Sequence, residues 1–110
     1  MCSMGRANTH RIALAEALGR NDLQMAIAIS KDIARESRTG QLPLKDAVEF
    51  LPVVIAQRPD EYDAWARRWL ERWITTPEAT INNTADIAAA LAELPVEPVV
   101  ALQTLREACR

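Results

Sequence analysis

Between Asp60 and Ile74 the apolar positions keep helical spacing, with Tyr62, Trp65, Ala66, Trp69, Leu70, Trp73 and Ile74 on one side. The chain's three tryptophans, Trp65, Trp69 and Trp73, stand at i, i+4 and i+8, which at about 100° per residue is one narrow arc. Glu61, Arg67, Arg68, Glu71 and Arg72 take the opposite side. A strand would line up the tryptophans but scatter the rest, so the pattern predicts a helix. Each tryptophan buries roughly 200 Å², which at about 25 cal/mol/Å² makes this helix the largest single source of apolar stabilisation in the chain.

The same spacing predicts helices on either side. Asn8 or Thr9 caps a helix from about His10 to Leu18 with Ile12, Leu14, Ala15 and Leu18 apolar, and Gly19 closes it. Asn21, with Gln24 three residues on, starts a second helix that runs to about Glu36. Its face is Leu23, Ala26, Ile27, Ser30, Ile33 and Ala34, broadened by Met25 and Ile29. After Ser37–Gly40, a third helix opens near Pro43 and carries Leu44, Val48, Leu51 and Ile55. Pro52 kinks or breaks it. Val53, Val54 and Ile55 have strand propensity, but no second strand exists to pair with them, so they are read as helical. Arg58-Pro59-Asp60 turns into the tryptophan helix. A fifth helix starts either at the Thr76-Pro77-Glu78 cap or at Asn83 with Asp86, and carries Ile87, Leu91 and Leu94. Pro95 and Pro98 bracket a corner, and Val99, Leu102, Leu105 and Cys109 line a last helix. Short turns between helices mean αα-hairpins. The expectation is an all-α fold: a compact bundle of about five to six short antiparallel helices, one domain over residues 1–110, with a flexible arm over residues 1–8.

Composition leaves that picture intact and narrows the function. The chain has 110 residues, 49% of them hydrophobic and 25% charged, as expected for one globular domain rather than a disordered segment. A net charge of −2 gives no global attraction to nucleic acid or anionic membrane. The charge is unevenly spread: residues 1–45 hold seven Lys/Arg against four Asp/Glu, while residues 46–110 hold six against eleven. Neither an apolar leader nor an 18-residue apolar window occurs, so no membrane role and a cytoplasmic setting are expected.

Catalytic chemistry finds little to stand on. His10 is the one histidine, and a Cys2–His10–Cys109 metal site would need three distant segments to converge and would still lack a fourth ligand. No carboxylate pair sits in apolar surroundings, and Gly5, Gly19 and Gly40 form no phosphate-cradling loop. The reading is therefore a non-enzyme with no catalytic, cofactor-binding or metal residues. Leu14-Ala15 and Leu18-Gly19, followed by Met25, fit a helix-turn-helix, which makes a DNA-binding regulator using residues 10–36 the alternative function. Its second helix offers no Lys or Arg before Lys31, whereas phosphate and base contacts lean on both. An αα-hairpin explains the same pattern without DNA.

The run Leu51–Leu70, a helix, a Pro-Asp turn and a helix with Arg and Ala facing inward, resembles one HEAT-type hairpin. With the alanine-rich runs Ala85–Pro95 and Ala101–Ala108, and with Arg68-Trp69, the chain resembles small all-helical proteins of high-GC Gram-positive bacteria whose role is uncharacterised. That resemblance implies HEAT-like packing in a bacterial protein and brings no site residues. The tryptophan stripe is read first as core. Tryptophan and arginine are also enriched at interface hot spots, so Trp65, Arg68, Trp69 and Arg72 are the candidate partner-binding residues. The expected partner is another protein or a second copy of this chain.

Overall fold

The computed structural model describes the backbone of residues 2–109 and the side chains of residues 9–109. Seven α-helical segments occur there, α1 (Cys2–Gly19), α2 (Leu23–Glu36), α3 (Leu44–Ala47), α4 (Phe50–Gln57), α5 (Tyr62–Trp73), α6 (Ile81–Glu93) and α7 (Pro98–Ala108), with a 3-10 turn at Pro59–Glu61 leading into α5. No strand occurs among the described residues, so the fold is all-α, with six helices of eight residues or more and α3 a single turn. Among the described residues no helix is long and apolar enough to cross a membrane. The chain divides into two compact units, Met1–Pro43 and Leu44–Arg110.

The first unit is the α1/α2 hairpin. Leu14 and Ala17 of α1 and Leu23, Ala26 and Ile33 of α2 are buried, while Ile12 and Met25, expected on the inner faces, are exposed. The turn is built by Asn21, not Gly19. Asn21 has a φ of 56°, Asp22 N–H donates to the Ala17 carbonyl at 2.8 Å, and Asn21 N–H donates to the Leu18 carbonyl at 3.0 Å. Those are the two bonds of a Schellman closure, with asparagine rather than glycine in the left-handed position. Asp22 then caps α2, its Oδ1 accepting from Met25 N–H at 3.1 Å. Asn21 is occupied by the turn, so the cap moves one residue on. At the other end α1 begins at Cys2, upstream of the expected Asn8/Thr9 cap. The arm expected over residues 1–8 falls on residues whose side chains lie outside the described set, the Cys2 thiol among them.

The second unit is organised on α5. Helix α4 packs on it through Phe50, Leu51, Val53 and Val54, all buried, and α6 and α7 form a hairpin closed by Ile87, Ala90, Leu91, Leu94, Ala101 and Leu105. The third helix is broken, as one sequence alternative held, but at Val48-Glu49 rather than at Pro52. Proline lacks the N–H that would bond to the carbonyl of Val48, four residues back, and its ring would strike that carbonyl. The chain escapes by ending α3 first, which leaves Pro52 in the first turn of α4, where no intrahelical donor is required. The start of α6 falls between the two expected caps. Thr80 Oγ1 accepts from Asn83 N–H at 3.1 Å, and Asn83 Nδ2 donates to the Glu78 carbonyl at 2.8 Å. Thr76 instead closes α5, its hydroxyl donating to the Trp73 carbonyl at 2.7 Å. In α7 the inward residues are Ala101 and Leu105, and Val99, expected on that face, points to solvent.

Candidate functional site

Along α5 the tryptophan stripe divides by depth. Trp69 and Trp73 keep 3% and 2% of their surface, whereas Trp65 is only half-buried. The buried indoles also act as ties. Trp69 Nε1 donates to the Leu44 carbonyl at 3.2 Å, linking α5 to the start of α3, and Trp73 Nε1 reaches the Ala108 carbonyl of α7 at 3.5 Å. Tyr62 adds a third, its hydroxyl donating to the Leu91 carbonyl of α6 at 2.5 Å. Burial, and then the Asp63 carboxylate, push the Tyr62 phenol up from 10.0 to about 12. The α5 side chains thus reach α3, α6 and α7 by hydrogen bonds that pair buried donors, as a dry interior requires.

Trp65 is built differently. One face of its indole stacks on Phe50, ring centroids 5.8 Å apart and planes 14° from parallel, and the Arg68 guanidinium stands 5.3 Å from the ring centroid. The position is set by the helix: i and i+3 lie on adjacent turns, so Arg68 folds back over Trp65. Its indole N–H is buried without a hydrogen-bond partner. Arg72 is half-buried, and burial pulls its guanidinium below its ordinary value. Of the four candidate residues, Trp65 and Arg68 therefore form one surface element, Arg72 lies one turn on, and Trp69 belongs to the interior.

Two further features of this unit carry charge. Arg106 of α7 grips Glu49 in bidentate fashion, Nε to Oε2 at 2.7 Å and an Nη to Oε1 at 2.6 Å, and that hydrogen bonding raises the arginine. Cys109 is half-buried, and burial followed by the Glu49 charge pushes its thiol up, away from the reactive thiolate. A cleft of about 350 Å³ beside α6 and α7 is lined by Glu78, Asp86 and Glu107 with Asn83 and Thr104. The sequence did not single out that grouping, because its members are spread from residue 78 to 107 and meet only when α6 and α7 pair.

In the first unit, His10 of α1 sits against Glu36 at the end of α2, Nδ1 to Oε2 at 3.4 Å. Lys31 and Arg35 of α2 are exposed, and Arg35 pairs with Asp32. Among the described residues no three His, Cys, Asp or Glu side chains are grouped so as to hold a metal ion. The chain matches no protein-family model, and no curated protein and no solved structure matches it.

Proposed function

We propose that this chain is a non-catalytic helical module that binds another protein, with Trp65 and Arg68 at the centre of the contact. The observation that carries the reading is the contact of Trp65 with both Phe50 and Arg68 at the half-buried end of an otherwise buried tryptophan stripe. Phe50 is buried and stacks on the ring, while Arg68 is exposed and holds its guanidinium over it. A cation over an indole at an exposed site holds by only about 0.5–1 kcal/mol, so a partner side chain can displace or extend it. Rigid aromatic surface flanked by arginine is the composition of interface hot spots. A cytoplasmic setting goes with this reading.

The test is in-cell cross-linking followed by comparison of the wild type with Trp65→Ala and Arg68→Glu, each shown by circular dichroism to keep its helix content. A partner held by the wild type and lost from both variants supports the reading. Cross-links that are the same for all three remove Trp65 and Arg68 from the contact. Light scattering decides whether the partner is a second copy: a dimer that Arg68→Glu dissociates would make it so.

A further inference from the structure

Helix α6 turns Ile87, Ala90 and Leu91 inward and leaves a second apolar strip facing out. Ile81, Ala85, Ala88, Ala89 and Ala92 are all exposed, and at about 100° per residue they fall within one outward arc. The strip ends in bulk on both sides. Ile81 keeps 90% of its surface at one end, and Val96 keeps 80% at the corner beyond the other, where Val99 and Val100 of α7 keep 77% and 65%. The helix spans roughly 18 Å between its first and last residues, about three and a half turns. A floor of methyl groups between aliphatic ridges lets a second helix come close and seat its ridges between them.

The charge around this strip has one sign. Residues 73–105 contain no Lys, Arg or His and four carboxylates, Glu78, Asp86, Glu93 and Glu97. Asp86 and Glu93, seven residues apart, run along the same edge of the strip, and Glu97 stands at the corner. None of these three pairs with a cation among the described residues. Beyond Asp86 lies the cleft of about 350 Å³ that Glu78 and Glu107 also line.

We infer that the outward face of α6 and its corner with α7 receive a basic amphipathic helix of a partner protein, apolar at i, i+3/i+4 and i+7 and flanked by Lys and Arg. The inference rests on the interaction-module reading and adds a second contact with a defined partner chemistry. Apolar anchors fill the alanine floor, and the flanking cations meet Asp86, Glu93 and the cleft. An isologous pair of this chain through the same face would set carboxylate against carboxylate, and an anionic membrane or nucleic acid would be repelled likewise.

The probe is a synthetic 18-residue peptide with leucine on one helical face and Lys/Arg on the other, labelled for fluorescence anisotropy. Its controls are the same peptide with Glu for every Lys/Arg and a scrambled peptide of the same basic composition. The basic amphipathic peptide should bind at least tenfold more tightly than either control, and more weakly as salt rises. Ala85→Arg, which puts a bulky cation on the exposed floor without touching the core, should weaken it at least tenfold, as should Asp86→Lys with Glu93→Lys. No binding, equal binding of the scrambled peptide, or indifference to Ala85→Arg overturns the inference. So does concentration-dependent dimerisation that Ala85→Arg abolishes, which would make the occupant a second copy. Cross-linking of the Ala85→Arg protein separates the two proposals: partners that depend on Trp65 and Arg68 and persist in that variant leave the module reading standing while the α6 inference falls.

Discussion

Replacing Trp69 with alanine removes the indole that the second unit is packed around. Trp69 keeps 3% of its surface, so nearly all of its roughly 200 Å² is withdrawn from water, worth about 5 kcal/mol at about 25 cal/mol/Å². That figure is an upper bound, because the unfolded chain already buries some of the same surface and alanine retains a little of it. The bond from Nε1 to the Leu44 carbonyl adds about 1 kcal/mol. A loss of about 3–5 kcal/mol follows, the range for tryptophan truncated in a core. Urea titration followed by far-ultraviolet circular dichroism measures it as a fall in midpoint. Two companions calibrate the number. Trp69→Phe keeps most of the packing and loses the donor, and should cost about 1–2 kcal/mol. Trp65→Ala empties a half-exposed site and should cost about half as much as Trp69→Ala. If Trp69→Ala costs less than about 1 kcal/mol, or no more than Trp65→Ala, the depth order along α5 is wrong and the core assignment goes with it.

Tyr62 carries a pH dependence. Its folded pKa of about 12 lies above the ordinary 10.0, so the stabilisation it gives is whole below about pH 10 and fades as pH rises toward 12. Tyr62→Phe should cost about 1 kcal/mol at neutral pH and flatten that alkaline decline, read as melting temperature against pH beside phenolate absorbance. In the hairpin, Asp22→Ala should cost about 1 kcal/mol by removing the cap. Asn21→Val should cost about 1–2 kcal/mol while Asn21→Gly is near neutral, because the φ of 56° suits glycine and not a branched side chain. Glu49→Gln should cost only a few tenths of a kcal/mol, since the Arg106 pair is partly exposed, and should leave stability less sensitive to salt.

Periodicity carried most of the fold because it reports which side of each helix is apolar. The tryptophan helix and the hairpin of α6 and α7 follow from it directly, whereas the helical state of Val53 to Ile55 follows from the lack of a second strand to pair with them. What it leaves open is how far each apolar residue goes in. Trp65 and Trp69 are equivalent on a helical wheel, yet one is half-buried against Phe50 and Arg68 while the other is enclosed and tied to Leu44. Ile12, Met25 and Val99 are apolar and expected inward, but the helices turn them out, a choice made by neighbours that a linear pattern does not contain. Caps were misplaced by a residue or more where two cap-forming residues compete. Asn21 is spent on the left-handed turn, so Asp22 caps α2, and Thr76 is spent closing α5, so Thr80 caps α6. The break near Pro52 was legible, but its place was not, because the clash acts on the carbonyl four residues upstream. Of the candidate site, the residue types were legible in Trp65 and Arg68. The exposed strip of α6 was not, since its alanines read equally well as helix-formers with no face to show.

The account depends most on the unequal depth of the three indoles, and fluorine NMR of protein labelled with 5-fluorotryptophan tests it directly. Three resonances, assigned by single Trp→Phe replacements, are compared in light and heavy water and again after Arg68→Ala. The Trp65 signal should show the largest solvent shift and be the one that moves when Arg68 is lost, with Trp69 and Trp73 nearly unresponsive to both. A solvent shift at Trp69 or Trp73 as large as that at Trp65 would contradict the account.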